Sequence, residues 1–351
     1  MALGDMQEAL LREYRGSGEE PADFDAFWQR TIYEARAFGG APSVVLVETP
    51  LDTIDVYDVR FPGFGGQPVA AWLRVPRGAT GPLPAVVEFV GYGGGRGYPE
   101  ESLLWASSGF AHLHMDTRGQ GAGWSVGDTG DEGQTGPQHP GFMTRGILDP
   151  EHFYYRRLIT DAVRAVDAAR ALPQVDASRV SVTGISQGGG LALAVAGLVP
   201  DLTAVAARVP FLCDFPRAIL ITDARPYKEV ADFLRTRRTE VEPVMRTLSY
   251  FDGVFFARRA TAPLYISAAL MDETCPPSTV FAAFNNYGGV AEIAVWPFNG
   301  HEGGGLLDDR AAIAHLRASL GPGQRTPPRD GVRPGRGPIE GPVEGTVQAV
   351  T

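Results

Sequence analysis

Between residues 179 and 196 the chain changes character twice. Arg179-Val180-Ser181-Val182-Thr183 is short, β-branched and alternating, the pattern of a strand. Gly184-Ile185-Ser186-Gln187-Gly188 follows, and then a small, apolar run from Gly189 to Ala196 that suits a closely packed helix. A strand that enters a helix through Gly-x-Ser-x-Gly makes a sharp turn, and glycines flank the serine because side chains there would clash. The serine hydroxyl then stands clear of the sheet. The helix N-terminus behind it favours negative charge, such as develops on a carbonyl oxygen during acyl transfer. The plainer alternative is a Gly-rich turn whose serine only caps the helix.

The rest of the chain supplies a frame for such a turn. A helix is expected over residues 22–38, with Asp23 as its N-cap and Phe24, Phe27, Trp28 and Ile32 on one face. Strands are expected at 44–48, 55–61 and 69–75, forming an antiparallel opening to a mixed sheet. Strand and helix then alternate: strand 85–90, helix 101–108, strand 111–116, helix 154–172, strand 180–183, and strands 264–269 and 293–297. That order implies an α/β fold with a mostly parallel sheet covered on both faces, and ligand sites at the carboxyl ends of its strands. One domain over 1–320 is expected, with an N-terminal helical extension over about 1–40 and an insertion over about 212–252. Residues 321–351 are Pro/Gly-rich without apolar periodicity and read as a disordered tail.

Composition narrows the partners. The net charge is −10 and no Lys/Arg cluster stands out, which argues against nucleic acid and anionic membranes. No run of about 18 apolar residues signals a membrane span. The two cysteines, Cys213 and Cys275, form neither C-x-x-C nor a Cys/His cluster, so no metal and no cofactor is assigned. Sparse cysteine and a polar-amphipathic start point to the cytoplasm.

A serine nucleophile needs a base, and the base needs an orienting carboxylate. In folds of this class the order along the chain is Ser, acid, His. Only His301 and His315 follow Ser186. His315 falls within a helical run. His301 stands in a glycine-bounded loop after a strand, from which it can reach over the serine, and is the expected base. Asp272, just past the strand 264–269, is the expected acid, with Glu273 and then Asp252 as rivals. The main-chain N–H groups of Gln187 and Tyr92 are the expected oxyanion donors, Tyr92 from the loop Val90-Gly91-Tyr92-Gly93-Gly94-Gly95. Asp116-Thr117-Arg118-Gly119-Gln120-Gly121 has a Gly-x-Gly but no fingerprint opening a helix. It reads as a structural loop with Arg118 ion-paired inside.

These segments resemble carbohydrate esterase family seven, the acetyl xylan esterases and cephalosporin C deacetylases. The matching stretches run in order from Pro21–Trp28 through Gly91-Tyr92, Met115–Gly121, Gly141–Pro150, Tyr154–Arg157 and Ser186–Gly189. They continue with Pro210–Cys213, Tyr250–Val254, Met271-Asp272, Pro276–Phe281 and His301–Gly304. The resemblance implies an α/β-hydrolase fold, Ser186, Asp272 and His301 as a triad, and hydrolysis of small acetyl esters. It also implies a small acyl pocket bordered by Trp105, Phe211 and Thr274, and a hexamer with 212–252 near a subunit contact. Val90, Gly93 and Phe255 depart from the residues usual in that family. An acyltransferase, a peptidase or amidase, and a non-catalytic binding protein are the alternatives.

Overall fold

The computed structural model describes residues 4–133 and 136–321. All but the first residue of the 321–351 tail lies outside the described residues. Helices α1 (Glu8–Leu11) and α2 (Phe24–Ala37) lead into strands β1 (Ser43–Val47), β2 (Ile54–Pro62), β3 (Pro68–Pro76) and β4 (Leu83–Phe89). Then come α3 (Leu104–Ser107), β5 (Ala111–Met115), α4 (Tyr154–Arg170), β6 (Val175–Ile185), α5 (Gln187–Leu198) and β7 (Val205–Arg208). Helices α6 (Phe215–Ile221), α7 (Tyr227–Thr236), α8 (Val241–Ser249) and α9 (Gly253–Ala257) fill the expected insertion and its exit. The chain closes with β8 (Leu264–Ala269), α10 (Pro277–Asn285), β9 (Ala291–Trp296) and α11 (Leu306–Ser319).

The strands form one sheet in the order β1-β2-β3-β5-β4-β6-β7-β8-β9. The β1–β2, β2–β3 and β3–β5 pairs are antiparallel, and every pair from β5–β4 through β8–β9 is parallel. The mixed sheet with an antiparallel opening is thus the one expected. β7 is the strand that pattern reading leaves out. Its four residues are all buried and lack alternation, so a period of two never shows.

One sheet face carries the main core under α4 and α5, and the other a smaller one under α3 and α11. Side chains alternate between them: Val87 of β4 points into the first core and Val86 into the second. α2 is built into the main core. Phe24, Phe27 and Trp28 pack edge-to-face on Phe251 and Phe256, and the Trp28 indole N–H donates to the Tyr250 carbonyl (2.8 Å). Burying each ring is worth on the order of 1.5–3 kcal/mol. Three of them match a large share of a domain's net stability, about 5–15 kcal/mol. Asp23 takes the N-cap position of α2 as expected, but its side chain makes no capping hydrogen bond. Its backbone stands at φ −104°, ψ 15°, and its carboxylate accepts the Tyr250 hydroxyl (2.6 Å), a tertiary bond in place of the local one.

Candidate active site

The turn after β6 holds Ser186 at φ 57°, ψ −120°, backbone that costs a non-glycine residue on the order of 1–3 kcal/mol. Main-chain bonds hold it there. The Ser186 N–H donates to Arg208 O (3.0 Å), and Ser186 O accepts from Gly190 N (3.0 Å) and Phe211 N (2.9 Å). The flanking glycines are steric necessities. A Cβ on Gly184 would lie 2.2 Å from the Gly188 carbonyl carbon, and one on Gly188 2.0 Å from Phe89 O.

His301, in the loop between β9 and α11, bridges the serine and an aspartate. Its Nε2 is 3.0 Å from Ser186 Oγ, and its Nδ1 is 2.9 Å from Asp272 Oδ2. Asp272 stands three residues beyond the end of β8, its carboxylate fully buried. Its other oxygen accepts the Thr274 and Cys275 N–H groups (2.8 and 2.9 Å), so the carboxylate cannot swing away. A proton on Nδ1 facing the carboxylate leaves the Nε2 lone pair for the serine. The other candidates lie elsewhere. Glu273 is exposed. Asp252 caps α9 and accepts three backbone N–H groups, from Asp214, Phe215 and Val254. Burial lifts its pKa to about 7. His315, on α11, pairs with Glu292 and the Pro263 carbonyl.

Across the serine, Gln187 opens α5, and Tyr92 lies in the loop after β4. Among the described residues neither main-chain N–H has a protein acceptor. Their side chains do work the sequence does not announce. Gln187 donates to Val90 O (3.1 Å), and its Oε1 accepts from Gln120 Nε2 and the Tyr155 hydroxyl (3.0 Å each). Gln120 in turn accepts the Gly93 N–H (2.6 Å). The Tyr92 hydroxyl bonds the Glu229 carboxylate of α7 (2.9 Å) and accepts the Phe142 N–H (2.6 Å). Glu229 also accepts the Met143 N–H (3.2 Å). Burial, and then the carboxylate's charge, push the Tyr92 phenol far above its usual range, and burial raises Glu229 as well. The loop's glycines make room for protein rather than for a ligand: Cβ atoms on Gly94 and Gly95 would strike Trp124 and Gly127 at 2.4 and 2.3 Å. Trp124 Nε1 donates to the Tyr92 carbonyl (2.8 Å).

The 116–121 loop is structural as expected. Asp116 accepts four backbone N–H groups, those of Arg96, Thr117, Asp128 and Thr129. Arg118 is fully buried against Asp161 (2.8 Å). Of the expected pocket residues, Phe211 lies at the elbow and meets the Tyr92 ring edge-on (6.4 Å), and Thr274 flanks Asp272. Trp105 does not join them. Its ring is buried in the second core with Phe110, Val86 and Leu316, where α3 covers the sheet. A cavity of about 640 Å³ between residues 17–23 and α8 contains none of these groups. Cys275 is the neighbour that sequence reasoning passes over, a buried thiol whose sulfur lies within 4.8 Å of ligand atoms of Asp272 and His301.

A strained serine at a strand-to-helix turn, on a mostly parallel sheet and bonded to a histidine–aspartate pair, defines an α/β-hydrolase. The acetyl xylan esterase (AXE1) family model matches residues 1–318, and the chain belongs to that family. The acetyl esterase Axe7A of Xylanibacter ruminicola is 31% identical over 294 residues, which are 83% of this chain. The match spans 65% of that relative's length. The structure of the acetyl xylan esterase from Paenibacillus sp. R4 is 40% identical, with a TM-score of 0.83 over 89% of this chain and 99% of that one. Acetyl xylan esterase 1 from Thermoanaerobacterium sp. JW/SL YS485 is 33% identical, with a TM-score of 0.83 over 90% and 100%.

Proposed function

We propose that this chain hydrolyses small acetyl esters through an acetyl-serine intermediate. The observation that carries the reading is the unbroken hydrogen-bond chain Ser186–His301–Asp272 on a strained elbow. Ser186 Oγ attacks the ester carbonyl carbon as His301 Nε2 takes its proton. Charge on the carbonyl oxygen is met by the Gln187 and Tyr92 N–H groups. His301 returns the proton to the departing alcohol. It then takes one from water, which displaces the acetyl group from the serine. Asp272 holds the imidazole's tautomer and stabilises its charged form. Nucleophile, base and oxyanion donors all come from the chain, so the steps call for no cofactor.

Phe211 and Thr274 border the acyl side and favour acetyl by leaving little room for longer chains. Acetylated xylo-oligosaccharides and cephalosporin-type acetyl esters are the substrate classes this reading names. Two buried free cysteines suit a reducing, cytoplasmic setting, and no helix of the described residues is long and apolar enough to cross a membrane. A homo-oligomer, hexameric by family likeness, completes the reading, and sedimentation would test it. Steady-state hydrolysis of p-nitrophenyl acetate and butyrate tests the chemistry. Fast acetate turnover, weak butyrate turnover and an inert Ser186→Ala are expected. Equal rates for wild type and Ser186→Ala would overturn it.

A further inference from the structure

We propose that Cys275, His301 and Asp272 form a binding site for a thiophilic divalent cation such as Zn²⁺, and that its occupation switches hydrolysis off. An imidazole nitrogen, a carboxylate oxygen and the Cys275 sulfur all lie within 4.8 Å of one another. Bond lengths of about 2.0–2.3 Å around tetrahedral zinc put its ligand atoms roughly 3.6 Å apart, so shifts of about an ångström seat a metal: the 2.9 Å His301–Asp272 pair opens and the sulfur moves in. Cysteine, histidine and carboxylate are the ligands zinc prefers. Asp272 is already fixed by the Thr274 and Cys275 N–H groups, which also fix the backbone that carries the sulfur. The site opens to solvent through His301, whose side chain is 34% exposed. A fourth position remains for water or the Ser186 hydroxyl, 3.0 Å from His301 Nε2.

The chemistry is a ligand exchange without redox change. The thiol S–H bond gives way to an S–metal bond, and one proton leaves to solvent. A metal on His301 occupies the base or breaks its bond to Asp272, and either stops proton transfer from Ser186. No Cys-x-x-Cys or Cys/His spacing announces this site, because β9 and its loop bring His301 to Cys275 from a distant part of the chain. The inhibitory half of the proposal rests on the serine-esterase reading, whereas the binding half does not.

The test titrates zinc chloride into the full chain with p-nitrophenyl acetate as substrate, each variant scaled to its own rate in chelator. Micromolar zinc should abolish wild-type turnover, and chelator should restore it. Cys275→Ala should raise the midpoint by on the order of 100-fold, the upper end of what loss of even an outer-shell partner costs a metal site. Cys275→Ser should fall between. Cobalt chloride gives the second readout. A thiolate-to-cobalt charge-transfer band should appear in wild type and in Ser186→Ala but not in Cys275→Ala. The same zinc midpoint in Cys275→Ala and wild type would overturn the proposal, as would absence of the band from wild type. Undiminished hydrolysis by Ser186→Ala with the band intact would instead sink the esterase mechanism and leave the metal site standing.

Discussion

The two sides of Ser186 are held in place by different means. On the acid–base side, Asp272 and His301 follow consecutive parallel strands, and hydrogen bonds within and between their two loops, such as Met271 N–H to Asn299 O (3.0 Å), set their positions. On the oxyanion side, Gln187 sits at a helix start, but Tyr92 rides on a glycine-rich loop. That loop is tied down by side chains from two distant segments: Gln120 and Trp124 of the connection after β5, and Glu229 of α7. Loops at neighbouring strand ends hold their residues through short bonds from main-chain N–H groups. The glycine-rich loop needs a buried polar network, and such a network fails as a unit when one member goes. The acid–base side should therefore respond to substitution of its own residues, and the oxyanion side to substitutions well away from the substrate.

Four substitutions rank that difference. Ser186→Ala should lower kcat for p-nitrophenyl acetate by on the order of 10⁶. Asp272→Asn should cost about 10⁴, because the imidazole then loses its tautomer control while the geometry survives. Glu229→Ala should cost about tenfold in kcat with little change in KM. That is less than the 10²–10³ for loss of a whole oxyanion donor, because the Tyr92 N–H remains but is less well placed. Tyr92→Phe should cost a similar factor, and the double variant no more than either alone, since both break one tie. A Glu229→Ala enzyme with wild-type kcat would break the comparison. An additive double variant would show that the two residues act separately.

A further effect is on stability rather than rate. Asp252 clamps the two ends of the 212–252 insertion by accepting the Asp214 and Phe215 N–H groups at its start and that of Val254 just beyond its end. Burial raises its pKa to about 7, so the folded protein holds this proton more tightly than the unfolded chain does. Its contribution is complete below about pH 4 and is lost as pH rises towards 7, at about 1.4 kcal/mol per unit. Urea unfolding at pH 5 and pH 8 should show wild type losing up to about 3 kcal/mol more than Asp252→Asn over that interval. Parallel curves for the two proteins would remove Asp252 as the titrating clamp.

Much of this was legible in the chain, and what was hidden has physical reasons. The elbow shows because its glycines are required locally, and Asp272 and His301 show because each follows a recognisable strand. β7 stays hidden because burial on both faces erases alternation. Asp23 is legible as the N-cap residue of α2, but not the turn of its carboxylate to Tyr250 in place of the helix N–H groups. Trp105 misleads because a buried aromatic looks the same in a core as at a pocket. The Gln187–Gln120 and Tyr92–Glu229 ties, and the approach of Cys275 to His301, leave no local signal at all. Each joins residues that only the fold brings together.

The central claim is that Ser186 is the nucleophile, activated by His301 and oriented by Asp272. Labelling with a fluorophosphonate, followed by peptide mapping, tests it most directly. A single adduct on Ser186 is predicted, formed quickly in wild type, far more slowly in Asp272→Asn, and not at all in Ser186→Ala. An active wild-type enzyme that carries its adduct on another residue, or none, would contradict the account.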